Sequence, residues 1–440
     1  MTSRQQRTAE EPEVRDLVQL ISNAVQQLRE ELTGFLQELV RIPSLPGQEQ
    51  QAQKFVAAKL TDLKLEVTTV ESRLDQLKDH PAFCDDGVPF SQRLNVVGRW
   101  PGIEKGKDRR TSRSLILNGH IDVVPTGNQN LWSDSPWSGK IDRGRLFGRG
   151  SCDMKAGIAA SIFAIDILRR LGFTPNRDIL LESVIGEETG GVGTLALIVN
   201  GYRGDAAIIT EPTELKLCPV QSGALTFRLK VPGRSVHASV KKYGISAIEK
   251  FCLLFSAIDQ LEQQRHRNYK NELYEDPSQI APINLGTVRG GEWHSTVPSE
   301  LFVEGRYGVM PGETNEAAKR ELAEVLRRTA DGDLWLRDHP PVLEWIEGQF
   351  ESGCTELSEP LLQTLAAAHH QITAAEAKVR GVTYGSDLRL FTNYAKTPSV
   401  LYGPGSVTHA HSVDEFVDLE DVIRCTKVLA LTAYEWSFRS

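Results

Sequence analysis

The sequence predicts an α/β protein whose mixed sheet is interrupted by an inserted ferredoxin-like α+β unit. Three observations predict it. Short aliphatic or β-branched runs at residues 115–117, 179–185, 206–209 and 399–402 end in polar or charged residues. Buried strands do this when they deliver ligands to the carboxyl edge of an open α/β sheet. Between residues 221 and 340 the elements read β-α-β-β-α-β, the order of a split unit. The chemically loaded strand ends lie on both sides of that segment, so it is an insertion. The expected boundaries are a mobile tail over 1–14, a first catalytic part over 15–220, the insert over 221–340 and a second catalytic part over 341–440.

Each element follows from its residues. Apolar residues at helical spacing over 16–40 predict a long helix that ends at Arg41-Ile42-Pro43-Ser44. A helix over 48–63 and a strand over 65–70 come next, and residues 94–100 read as a second strand. Residues 105–114 form a charged surface turn. The loop at 128–139 holds Trp132, Pro136 and Trp137, either as one wall of a cleft or as plain packing. A helix is expected over 154–171, opened by Asp153. Within the insert, strands are expected at 225–231, 283–288, 301–309 and 334–336, with helices at 245–264 and 315–330. An amphipathic helix over 419–436 closes the chain.

The totals narrow the class. The chain has 440 residues, enough for two or three domains. Its 58 acidic and 50 basic residues give a net charge of -8, which argues against a nucleic-acid footprint. No apolar run approaches the ~20 residues of a membrane span, and the polar start lacks a signal-peptide core, so a cytoplasmic enzyme is expected. The six cysteines contain no C-x-x-C pair, which argues against a disulfide framework and a cysteine metal site.

The chemistry gathers at the strand exits. His120-x-Asp122 on an extended segment shares one face, so Asp122 can reach the second imidazole nitrogen and fix the tautomer of a metal-ligating histidine. Asp153 stands where a helix dipole favours an anion. Glu187 and Glu188 follow one buried strand and Glu211 follows another, a costly arrangement unless something cationic receives them. With His411 these residues suit a pair of borderline divalent metals bound through nitrogen and oxygen. One of the adjacent glutamates can ligate while the other moves a proton.

The residues resemble a known family, the co-catalytic dinuclear metallo-hydrolases of the acetylornithine deacetylase, succinyl-diaminopimelate desuccinylase, aminoacylase and carboxypeptidase G type. The resemblance rests on Gly119-His120-Ile121-Asp122-Val123-Val124-Pro125, Gly148-Arg149-Gly150-Ser151-Cys152-Asp153-Met154-Lys155, Glu187-Glu188-Thr189-Gly190, Thr210-Glu211-Pro212 and His411-Ser412-Val413-Asp414-Glu415. It implies a metallopeptidase-like catalytic domain with the insert as lid and dimerisation domain. It further implies that Asp153 bridges two ions, that His120 and Glu211 complete one, and that Glu188 and His411 complete the other. Zinc is the first expectation, with cobalt or manganese as alternatives. Glu187 becomes the general base, Asp122 the partner of His120, and a cis peptide is expected at Asp153-Met154. Gly233-Arg234-Ser235-Val236-His237 resembles the motif whose histidine reaches a partner subunit's site, so a homodimer is implied. Arg306 matches a family arginine, a candidate substrate contact. Ser295 replaces the asparagine that carboxypeptidase-like members carry, which weakens the case for a clamp on a substrate α-carboxylate. The pattern after His411 favours it over His409 as ligand.

The expected activity is removal of an acetyl, succinyl or formyl group from the nitrogen of a small amino acid or amine, such as a formylated aminopyrimidine. The mechanism implied is attack by a metal-activated bridging water with Glu187 as base. A metallo-carboxypeptidase or dipeptidase using the same site is the alternative. A more distant one is a dinucleotide-binding oxidoreductase, because Gly191-Val192-Gly193-Thr194-Leu195-Ala196 fits G-x-G-x-x-A, with Glu211 about 20 residues on. That reading leaves His120, Asp153 and His411 without roles.

Overall fold

The computed structural model describes residues 14–85, 87–103 and 113–438, so all but the last residue of the expected tail and most of the charged turn at 105–114 lie outside the described residues. Four parallel strands form the middle of a nine-stranded mixed sheet. They run in the order Ile179–Val184, Leu115–His120, Ala206–Ile209 and Ser399–Leu401. Every residue of these strands is buried, as expected for parallel strands covered on both faces. Leu94–Trp100 and Glu66–Glu71 extend one side antiparallel; Leu217–Gln221, Gly353–Cys354 and Val379–Val382 extend the other.

The helix Ala156–Arg170 is rich in alanine and isoleucine, is buried over almost its full length, and packs against the closing helix Leu419–Ser437. Its close approach to the sheet depends on Gly157, where a Cβ would clash with the Thr210 carbonyl. That contact fixes the exit of the strand that carries Glu211. The long first helix is in fact two, Val14–Gln27 and Arg29–Arg41, broken at Leu28. Leu28 is buried and the apolar spacing runs through it, so periodicity alone hides the break. Among the described residues no helix is long and apolar enough to cross a membrane.

The insert is a four-stranded antiparallel sheet ordered Ile283–Gly290, Glu300–Val309, Gly223–Pro232 and Val342–Phe350. Helices Ala247–Asn268 and Asn315–Asp331 cover it, started by Ser246 and Thr314 accepting the N–H of Glu249 and Ala317. Phe227, Leu229, Val231, Leu254, Ile258, Leu322 and Leu326 form its core. The expected order β-α-β-β-α-β is present, but its last strand is Val342–Phe350, so the unit extends past 340. Residues 334–336 are turned instead, because the Asp333 carboxylate accepts the N–H groups of Trp335 and Leu336 and Leu334 is exposed.

Candidate metal centre

His120 is the last residue of its strand, and Glu187, Glu188 and Glu211 lie just beyond two neighbouring strands, so the parallel sheet brings all four to one edge. The His120 Nδ1–H donates to the backbone carbonyl of Asp122 at 2.9 Å. This fixes the tautomer and leaves Nε2 facing Asp153 Oδ1 at 3.1 Å, Glu187 Oε2 at 3.8 Å and Glu211 Oε1 at 3.8 Å. The expected carboxylate partner is therefore a carbonyl of the same residue. The Asp122 carboxylate stands 3.8 Å from Nδ1 and accepts the backbone N–H groups of Glu187 and Glu188 at 3.3 and 3.2 Å. Sequence spacing gives the shared face but not which oxygen the ring selects.

Asp153 does not open the helix. It lies in a tight turn, Ser151–Lys155, with extended backbone and a cis peptide to Met154, ahead of Ala156–Arg170. Two buried groups set that turn. Glu415 accepts the N–H of Cys152 at 2.9 Å and of Asp153 at 3.1 Å, and takes a hydrogen bond from Arg149 at 2.6 Å. Lys155, fully buried, donates to the carbonyls of Leu39 and Ile42, and burial lowers its pKa to about 7. Neither Glu415 nor Lys155 announces this role in the sequence beyond its place in a motif. Arg149 also covers the ring of Trp132, whose indole N–H bonds the Thr126 carbonyl, so this tryptophan is packed into the loop.

The turn aims the two Asp153 oxygens in different directions. Oδ1 faces His120, and Oδ2 lies 3.4 Å from His411 Nε2. His411 Nε2 is also 3.1 Å from Glu188. Two ligand sets result, His120–Asp153–Glu211 and Asp153–Glu188–His411, each with donor atoms within 4.8 Å of one another and sharing Asp153. Glu187 belongs to neither set. His409 lies against the Phe416 ring at a tilt instead, leaving the pattern to His411.

The electrostatics fit a pair of cations. Burial and the neighbouring carboxylates push the pKa values of Glu187 and Glu211 well up, and burial raises that of Glu188. Burial disfavours the His120 imidazolium, but the hydrogen bond to Asp153 and the charges of Glu211 and Glu187 outweigh it and raise its pKa. Hydrogen bonds to Asp153 and Glu188 raise His411 to about 10. The buried carboxylates thus pull protons onto any base within reach, the signature of a site short of positive charge. Nitrogen and oxygen donors in two sets around one shared carboxylate suit two borderline divalent ions.

Three expected site residues lie in the insert, away from these ligand sets. His237 is exposed, with Ser239 on its Nδ1 and a β-bridge to Thr296. Ser295 pairs with His294. Arg306 reaches from its strand to the carbonyl of Thr383 at 2.9 Å. Sequence reading missed Tyr384 and Asp387, which follow Val379–Val382. Asp387 accepts from Thr194 at 2.6 Å and fills the space beside Gly191. Gly193 packs against Ile185 and Asn95, so the G-x-G-x-x-A run serves strand-helix packing beside a carboxylate, which is incompatible with a pyrophosphate.

A family model, peptidase family M20/M25/M40, matches residues 116–435. The chain belongs to this family. The M20 match spans every ligand named above. An N-formyl-4-amino-5-aminomethyl-2-methylpyrimidine deformylase from Halalkalibacterium halodurans is 31% identical over 78% of this chain and 82% of its own. A deformylase of the same name from Bacillus subtilis is 28% identical over 95% and 97%. Among solved structures, a di-peptidase from Saccharomyces cerevisiae has the same fold at a TM-score of 0.71 and 15% identity, covering 95% of this chain and 98% of its own. The expected catalytic domain with its inserted unit is therefore the M20 architecture.

Proposed function

We propose that this M20 member is a two-metal deacylase that releases a small amine from its N-formyl derivative, with N-acetyl and N-succinyl amines or amino acids as further candidates. The observation that carries the reading is Asp153, whose two oxygens face two separate histidine–carboxylate sets with Glu187 alongside. The two relatives named as deformylases support the formyl group. His120, Asp153 and Glu211 would hold one ion and Asp153, Glu188 and His411 the other, zinc by donor type. When bound, such a pair would supply Lewis-acid chemistry for the acyl carbonyl and a water acidic enough to act at neutral pH. Glu187, buried and outside both sets, is the carboxylate that would hold a proton at Oε2 and hand it on to the leaving nitrogen. Asp122 holds the Glu187–Glu188 turn through its two backbone N–H groups, and the Asp122 carbonyl keeps His120 in register.

We assign Arg306 to the substrate boundary, because its guanidinium crosses from the insert to Thr383, which together with Pro212 lines a cavity of about 430 Å³. Ser295, already paired with His294, offers no amide clamp and suits an amine without an α-carboxylate. The six free thiols fit a reducing compartment, and we place the enzyme in the cytoplasm. The test is amine release from a panel of N-formyl, N-acetyl and N-succinyl amines and dipeptides, before and after chelation. Chelator-sensitive release with formyl amines fastest is expected. Dipeptide cleavage alone would move the chain to the peptidase branch.

His237 we assign to the partner subunit's site, as a hydrogen-bond donor to the developing oxyanion. Supporting a dimer through the insert are the open edge of Ile283–Gly290 and the exposed Ile248, Leu253 and Phe255 on helix Ala247–Asn268. Sedimentation is expected to give a dimer that Phe255→Asp weakens; a monomeric wild type with full activity would remove His237 from the mechanism.

A further inference from the structure

The chain enters the insert between Leu217–Gln221 and Gly223–Pro232, and leaves it between Val342–Phe350 and Gly353–Cys354. Both crossings rest on the segment 386–394. The Gln221 side chain donates to the carbonyls of Glu351 at 3.3 Å and Ser386 at 3.2 Å, and accepts from the Ser386 hydroxyl. Tyr394 donates to Glu351 Oε1 at 2.7 Å, and Asn393 to the Ser352 carbonyl at 3.0 Å.

The same segment grips the loop that carries Glu187 and Glu188. Arg389, fully buried, donates from Nη2 to the Gly190 carbonyl at 2.8 Å. Gly190 belongs to a closed turn, because its N–H bonds the Glu187 carbonyl at 3.0 Å and that of Gly191 bonds Gly186 at 2.8 Å. On its other side the Arg389 guanidinium lies 5.3 Å from the centre of the Phe350 ring, with Nη1 3.4 Å from Glu351 Oε2. One side chain thus spans from the exit of the insert to the loop of the general base. A buried guanidinium costs stability that an apolar side chain of similar size would not. Its two ends account for the charge.

We propose that Arg389 is a positioning residue: it braces the Glu187–Glu188 loop against the strand by which the chain leaves the insert, so the placing of the base depends on the placing of the insert. The inference rests on Glu187 acting as the base. Arg389 has no exposed surface, so it does not meet substrate.

The test is a double-mutant cycle on the full chain at saturating zinc, with kcat, KM and metal content measured for each protein. Arg389→Met is expected to lower kcat about 10- to 100-fold, the cost of a base displaced by about 1 Å, with KM and metal content unchanged. Added to Glu187→Gln it should cause no further fall, because the base it positions is already gone. Glu351→Gln removes only the charge at the insert's end of the brace. It is expected to lower kcat about 3- to 10-fold with the same dependence on Glu187, and it decides the matter alone if Arg389→Met does not fold. Equal falls in both backgrounds would overturn the proposal in favour of a general role in stability. A raised KM or a lost ion would also overturn it. Wild-type kcat in Glu187→Gln itself would remove the base, and this inference with it.

Discussion

Replacing Glu187 by glutamine is expected to lower kcat by about 100- to 10,000-fold, the usual contribution of a positioned general base. The metal content should stay at the wild-type level. Glu187 Oε2 lies 3.8 Å from His120 Nε2, at the edge of one ligand set, yet Glu187 belongs to neither set. Its backbone N–H is held by Asp122, so the side chain is placed by the turn and not by a metal. Glutamine preserves that shape and cannot take a proton. Elemental analysis with steady-state kinetics checks it; a variant that loses its ions along with its activity would show that Glu187 is a ligand.

Asp153→Ala is expected to lose both ions, and with them amide hydrolysis down to background. The shared carboxylate is the reason. Oδ1 serves the set with His120 and Glu211, and Oδ2 the set with Glu188 and His411. His411→Ala provides the contrast, because it removes a ligand from one set only, so about one ion per chain should remain. Metal counts of the two variants, taken on proteins with wild-type circular dichroism, distinguish a bridge from two independent sites. Equal losses in both variants would contradict a bridging Asp153.

Much of this site is legible in the sequence because charge at the end of an apolar run is physically anomalous. Glu187, Glu188 and Glu211 declare themselves by following buried strands, and the parallel sheet then has to bring them together. Atom-level choices are not legible. The His120-x-Asp122 spacing places two residues on one face, but the ring takes the carbonyl and the carboxylate holds the next turn. Short or irregular elements also escape. Lys140–Asp142, Arg145–Phe147 and Phe416–Asp418 form a small sheet from three-residue strands, too short for any period to show. The strand Val342–Phe350 follows two prolines and breaks register against Gly223–Pro232 between Trp345 and Gln349, so its alternation is lost. Tyr384 carries no motif, and only burial of its hydroxyl singles it out.

The most direct test of the account is the divalent metal content of the purified wild-type chain, measured by elemental analysis before and after dialysis against a chelator, with amine release followed on the same samples. About two ions per chain, lost with activity and restored by zinc, is the result the paired ligand sets around Asp153 predict. Full activity in a chain stripped of metal would contradict it.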